Sequence, residues 1–233
     1  MSDAAKVEIR LTREFLLSGV LPGLMAQLNP GIKVLTDAER AASLGAMLDV
    51  RPEQGQGVWV FAYGSLIWNP MIEYGARRMA VVPGWRRAFC LKVRSGRGSP
   101  ENPGLMLGLM PGGACTGVAF HIDEALVEQE LDLIWRREMV AEGYIPRWVP
   151  MLDETGAAYA HAIAFTINPR GPSYCGDLPL DEQIERIATA AGGLGTAAEY
   201  LLRTRDGLRE MGIEDAFVED LSRHVEAHPA LTK

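Results

Sequence analysis

The pattern of apolar and polar positions changes character at Val58. Before it, apolar residues recur at helical spacing in two pieces separated by Asn29-Pro30-Gly31. The second piece has a start signal, Thr36 with Glu39 three residues on, ahead of an Ala-rich run to Leu48. Arg51–Gly57 reads as a linker. From Val58 the runs become short and strand-like. Val58–Phe61 is a buried strand that runs into Ala62-Tyr63-Gly64-Ser65, small and polar enough to expose backbone amides. Gly64 supplies backbone freedom there, and free N–H groups in such a turn can converge on an anion or a carbonyl oxygen.

Three pairs of strand-like runs follow. Arg77–Val82 and Trp85–Val93 meet at Pro83-Gly84; Leu105–Met110 and Cys115–His121 flank Pro111-Gly112-Gly113; Ile145–Leu152 and Ala157–Ile167 flank Asp153–Gly156. Each pair predicts a hairpin, hence an antiparallel, twisted or barrel-like sheet. Arg94–Gly104 predicts a mobile loop at a pocket mouth, with Arg94 and Arg97 best read as solvated. The last part is helical: Asp181–Ala191 up to Gly192-Gly193, a helix starting at Thr196 with Glu199 at capping-box spacing, and a final helix after Gly212.

One helix interrupts the strands, from Asp123 as N-cap to Ala141 before Gly143. At about 100° per residue, Val127, Leu131 and Ile134 share one face, bordered by Trp135. Glu138 falls on the same face. A buried carboxylate must be paired, protonated, or held at a pocket floor with a raised pKa, the last being what a general base near neutral pH requires. The other readings are a helix end that reaches solvent, or pairing with Arg136, Arg137 or Arg147.

Composition narrows the classes. A net charge of −7, from 23 basic and 30 acidic side chains, disfavours nucleic acid or an anionic membrane as partner. Three cysteines, Cys90, Cys115 and Cys175, have neither disulfide-framework nor zinc spacing. The first residues lack a basic-then-apolar leader and no run approaches a membrane span, so a cytoplasmic protein is expected. Ser65 lacks the second glycine of a nucleophile elbow. His224 and His228 are four apart with no third ligand, so no metal is assigned. Nothing in the pattern specifies an oligomeric state.

Taken together, Tyr63-Gly64-Ser65-Leu66-Ile67-Trp68 and Trp135-Arg136-Arg137-Glu138-Met139 with Gly143-Tyr144 resemble the ChaC family of glutathione-specific γ-glutamylcyclotransferases. The order of Pro83-Gly84-Trp85 and Gly117–Phe120 between them also matches. The resemblance covers about Val58 to Leu202 and implies an α+β fold: a mixed, mostly antiparallel β-barrel of the γ-glutamylcyclotransferase-like type, with one inserted catalytic helix, an N-terminal helical appendage and C-terminal helices. With the helical pattern of the two ends, which lie outside the resemblance, the chain divides into 1–57, 58–212 and 213–233. The resemblance further implies that the backbone of Tyr63, Gly64, Ser65, Leu66, Ile67 and Trp68 holds the γ-glutamyl group of glutathione, that Glu138 is the base, and that no cofactor is used. The side chains of Tyr63, Tyr144 and Tyr174 are either secondary substrate contacts or wall residues with satisfied hydroxyls. The alternatives are cyclisation of other γ-glutamyl compounds, or a non-catalytic γ-glutamyl-binding regulatory protein.

Overall fold

The structure is a computed structural model that describes residues 11–153 and 155–232. The parts of the N-terminal appendage before residue 11, and Glu154 in the predicted 153–156 turn, lie outside them.

Five strands close into a barrel in the order β1-β3-β2-β4-β5: β1 Val58–Ala62, β2 Ala76–Val93, β3 Gly104–Ile122, β4 Tyr144–Leu152 and β5 Ala158–Ile167. The fold is α+β. Antiparallel ladders join β1 to β3, β3 to β2, and β4 to β5; β5 returns to lie parallel to β1, with Trp59 opposite Ala162 and Val60 opposite Ile163. Closure removes the exposed edges that an open sheet of this length would carry. From its strands, Phe61, Phe89, Phe120 and Phe165 are buried in the core with Leu105, Leu107 and Leu109.

Two of the three predicted hairpins are not hairpins. Residues 77–93 form one strand through Pro83-Gly84, and residues 105–121 form one strand through Pro111-Gly112-Gly113. The reason is the register. Pro83 lies opposite Ala114 and Trp85 opposite Pro111, so the two breaker sequences face each other across the ladder. Gly84, Gly112 and Gly113 all take positive φ, and the paired irregularity bends a continuous ribbon without reversing it. The true reversal of β2 into β3 is the 94–104 segment, which is not a mobile loop. Arg97 within it is 7% exposed and donates to the Thr196 carbonyl at 2.7 Å and to Glu199 at 2.9 Å, while the Leu194 amide donates to the Gly96 carbonyl. Arg94 is exposed, as read. The third pair, β4 with β5, is a hairpin.

Helices flank the barrel: α1 Arg13–Leu17, α2 Val20–Leu28, α3 Asp37–Asp49, α4 Val127–Glu138, α5 Leu180–Thr189, α6 Ala197–Glu210 and α7 Ala216–Glu226. The α3 start is as read, with Glu39 N–H donating to Thr36 Oγ1 and Thr36 N–H to the Glu39 carboxylate. Asp123 precedes a 3₁₀ turn, Glu124–Leu126, without capping it through its side chain, and α4 ends three residues earlier than predicted, at Glu138. Ala191–Gly192 pairs with Gly195–Thr196 as a two-residue hairpin, which accounts for the glycines there. Thr196 caps α6 through Glu199 N–H, but the Glu199 carboxylate is turned to Arg97 instead of completing a box. The 51–57 segment is anchored by Arg51, which pairs with Glu124 at 2.6 Å.

Thr36→Ala removes one capping acceptor from α3 and is expected to cost about 1 kcal/mol, a drop of about 2–4 °C in Tm for a chain of this size. Thermal denaturation followed by circular dichroism checks it; an unchanged midpoint means the cap is energetically idle.

Candidate active site

Glu138 is the last residue of α4. The helix forms because Val127, Leu131, Ile134 and Trp135 are all buried against the barrel, with the Trp135 ring edge-on to Phe165 at 5.2 Å. That face carries Glu138 inward, and 14% of its side-chain surface stays exposed. Among the three candidate cations, Arg137 is the partner, its Nε 2.9 Å from Glu138 Oε1. Arg136 pairs with Asp132 at 2.7 Å, and Arg147 donates to Thr166 Oγ1 at 3.2 Å.

The same Arg137 guanidinium reaches the turn after β1. Its Nη2 donates to Ser65 Oγ at 2.7 Å and its Nη1 to the Asn69 carbonyl. Burial raises the Glu138 pKa above the ordinary carboxylate value, and the Arg137 charge and hydrogen bond only partly offset it. The result is a carboxylate able to exchange a proton closer to neutrality than a solvated one.

The turn itself is pinned from several sides. The Ile67 amide donates to the Gly64 carbonyl and the Asn69 amide to the Ser65 carbonyl, both at 2.9 Å. Among the described residues, no backbone or side-chain acceptor is found for the Gly64, Ser65 and Leu66 amides. Buried Arg87 of β2 holds the Tyr63 carbonyl at 2.7 Å while pairing with Asp215, the N-cap of α7. Gly64 does not use positive φ; it is needed for space. A Cβ there would lie 2.6 Å from the Tyr200 hydroxyl.

Three tyrosines surround the acid. Tyr63 and Tyr144 are pushed well above the ordinary phenol value, chiefly by burial, and the Glu138 charge adds to both shifts. Tyr63 donates its hydroxyl proton to the Phe165 carbonyl at 2.6 Å, and Tyr144 donates to the Leu107 carbonyl at 2.9 Å. Tyr200, on α6, is raised to about 12 by burial against the opposing effect of the Leu107 amide, and it too lies within the field of Glu138. Its hydroxyl lies beside Leu107 and Gly64, and among the described residues no acceptor is found for its proton.

The remaining predicted residues are placed differently. Leu66 and Ile67 are core. Trp68 turns toward α6, donating Nε1 to Thr204 Oγ1 at 3.2 Å beneath the Arg203 guanidinium, 4.1 Å above its ring. Tyr174 packs with Cys90, Leu91 and Ile167 in a satellite cluster that Tyr144 also borders. A hollow of about 430 Å³ adjoins Ile67, Trp68, Tyr74, Arg77 and Arg203, and Glu138 is not part of its wall. Sequence reasoning missed Tyr200, Arg87 and the true place of Arg97. Tyr200 sits on an amphipathic stripe with Leu201, Thr204 and Leu208, where nothing in the spacing separates a site residue from a core one.

The family profile described as ChaC-like protein matches residues 58–228. The chain belongs to the ChaC family. The match continues past Leu202, where the visible resemblance stopped, through α7. The chain is 40% identical over 211 residues to a glutathione-specific γ-glutamylcyclotransferase of Escherichia coli (strain K12), covering 91% of this chain and 90% of that protein. It is 32% identical over 155 residues to glutathione-specific γ-glutamylcyclotransferase 1 of Danio rerio, covering 65% of this chain and 79% of that one. Among solved structures, a γ-glutamyl cyclotransferase specific to glutathione from yeast superposes with a TM-score of 0.67 at 22% identity, covering 73% of this chain and 96% of that chain, which shows a shared fold.

Gly64→Ala should overpack the contact with Tyr200 and cost about 1–3 kcal/mol. Adding Tyr200→Phe removes the atom the new methyl meets, so the double variant should recover most of that loss. Urea denaturation of all four proteins is the check, and strictly additive losses would contradict the contact.

Proposed function

We propose that this protein cleaves glutathione by intramolecular cyclisation, giving 5-oxoproline and Cys-Gly. The observation that carries the reading is the buried Glu138 carboxylate joined through Arg137 to the Ser65 turn, in a chain 40% identical to a named glutathione-specific γ-glutamylcyclotransferase.

The α-amine of the γ-glutamyl residue attacks its own γ-carbonyl carbon. A new C–N bond closes the five-membered ring, and the old amide bond to cysteine breaks. Glu138 takes a proton from the attacking ammonium and returns it to the departing cysteinyl amine. The nucleophile comes from the substrate, so Ser65 positions through its Arg137 contact and is not attacked. The reaction involves no net redox change, and this reading assigns it no cofactor.

The Gly64, Ser65 and Leu66 amides supply donors for the γ-glutamyl carboxylate and carbonyl, which cannot be folded back for attack without such anchors. Tyr200, whose proton is unspent beside Gly64, is the neutral donor to the carbonyl oxygen as negative charge develops on it. Tyr63 and Tyr144 give their protons to backbone carbonyls and serve as walls that keep Glu138 dry. Tyr174 is a remote wall residue. We assign the protein to the cytoplasm. Cys90, Cys115 and Cys175 are all free thiols, in keeping with a reducing compartment, and no described helix is long and apolar enough to cross a membrane.

Purified protein incubated with glutathione is expected to form 5-oxoproline and Cys-Gly in equal amounts; folded protein that forms neither overturns the proposal. Glu138→Gln should retain the fold and lose turnover by a factor of about a hundred or more. Retained turnover would remove Glu138 from the chemistry. Tyr200→Phe should lower kcat by about a hundredfold with little change in KM.

The pH dependence has a definite sign. Glu138 must be ionised to act as base, so kcat/KM should rise with pH through a pKa above the ordinary carboxylate value. The same raised pKa means that stability is fully present below the unfolded-state value and is partly lost as pH rises through the folded one. Glu138→Gln should remove that loss, leaving the variant at least as stable as the parent at pH 7. An acid limb at or below the ordinary carboxylate value contradicts the assignment.

A further inference from the structure

The family match begins at residue 58, yet the chain before it is bound to the parts of the barrel that build the site. Arg13 donates to both oxygens of fully buried Glu130 on α4, at 2.6 and 2.7 Å, and Glu130 also receives the Glu73 amide at 3.0 Å. The Asn69 side chain donates to the Leu11 carbonyl at 3.2 Å. Ser43 on α3 receives the Trp135 indole proton at 3.2 Å. Farther along, buried Asn29 donates to Ser95 at 2.8 Å, on the turn that carries Arg97. The segment therefore touches α4, the run after Trp68, and the β2–β3 turn.

The contacts nearest the acid are made by backbone. The Leu35 amide donates to the Val140 carbonyl at 3.0 Å, and Val34 forms an antiparallel bridge with Ala141. Lys33 lies 3.4 Å from Glu142 in the same short ladder. Val140 and Ala141 are the second and third residues past Glu138. The last turn of a helix lacks onward partners for its carbonyls and frays unless something outside satisfies and holds it. Here Met139 N–H closes the helix on Trp135 at 2.9 Å, and Val34-Leu35 takes over immediately afterwards.

We propose that Val34 and Leu35 are positioning residues for Glu138: their ladder to Val140 and Ala141 fixes the end of α4 at the depth where the carboxylate stays buried beside Arg137. The groups facing Glu138 are Arg137 from its own helix, Tyr63 at the end of β1, Tyr144 from β4 and Tyr200 from α6. Among the described residues, none belongs to the N-terminal segment. Loosening the ladder frees the exposed Lys33–Glu142 pair but removes none of the groups facing Glu138, so a displaced acid limb in the pH profile reports the depth of the carboxylate.

This inference rests on the glutathione reading for its kinetic arm, and a second arm stands without it. Leu35→Pro in the full chain removes the amide donor to Val140. We expect kcat for glutathione to fall at least about tenfold, KM to change little, and the acid limb of kcat/KM to move down toward the ordinary carboxylate value. Hydrogen exchange on the unmodified protein needs neither turnover nor a variant. The Leu35 and Met139 amides should exchange with matching protection, opening as one unit. A folded Leu35→Pro variant with kcat within twofold of the parent and an unmoved acid limb overturns the proposal. So does a Met139 amide that stays protected while Leu35 exchanges like free peptide. Should the parent fail to turn over glutathione, the functional reading falls, while the exchange result still decides whether the ladder holds the helix end.

Discussion

The site depends on one guanidinium. Arg137 lies between two candidate site groups that are 73 residues apart in the chain, the Glu138 carboxylate and the Ser65 turn, and it binds both. Without it, Glu138 would be an unpaired charge in a mostly buried position, and the protein would respond by keeping it protonated or by expelling it to solvent. With it, the acid stays buried at a cost reduced but not cancelled, which leaves its pKa raised. The surrounding structure preserves this balance. Trp135 and Ile134 seat the helix, Arg87 pins the Tyr63 carbonyl, and Tyr63 and Tyr144 spend their protons on backbone carbonyls.

The barrel matters because it brings the end of β1, the start of β4 and the first part of β3 to one place. Tyr63 follows β1, Tyr144 opens β4, and Leu107 of β3 presents its carbonyl to Tyr144 and lies beside the Tyr200 hydroxyl. A closed sheet fixes such distances better than a loop can, since each strand is held on both sides. Helix α6 then closes the arrangement. Its Tyr200 reaches Gly64 only because that residue has no side chain.

What could be read beforehand was the local chemistry. Thr36 with Glu39 announced a capping box, and Glu138 in an apolar stripe announced a carboxylate in an unusual environment, because both signals lie within one helical turn or face. The turns misled where their meaning depended on the opposing strand. Pro83-Gly84 and Pro111-Gly112-Gly113 look like reversals in isolation, but each is a bend because the other faces it. Arg97 looked solvated among glycines and prolines; its partners, Thr196 and Glu199, come from an element about a hundred residues later. Gly64 reads as a source of backbone freedom, but its constraint is a hydroxyl brought by α6 and not its own dihedral angle.

Glu138 is a mostly buried, Arg137-paired carboxylate, and the proposed reaction requires it to face a γ-glutamyl group. Carbon-13 NMR of protein labelled at glutamate side-chain carboxyls, assigned with Glu138→Gln, tests it directly. The Glu138 resonance is expected to titrate above the ordinary carboxylate value and to shift when 5-oxoproline, the unreactive product, is added. A Glu138 that titrates in the ordinary range and ignores the ligand would contradict it.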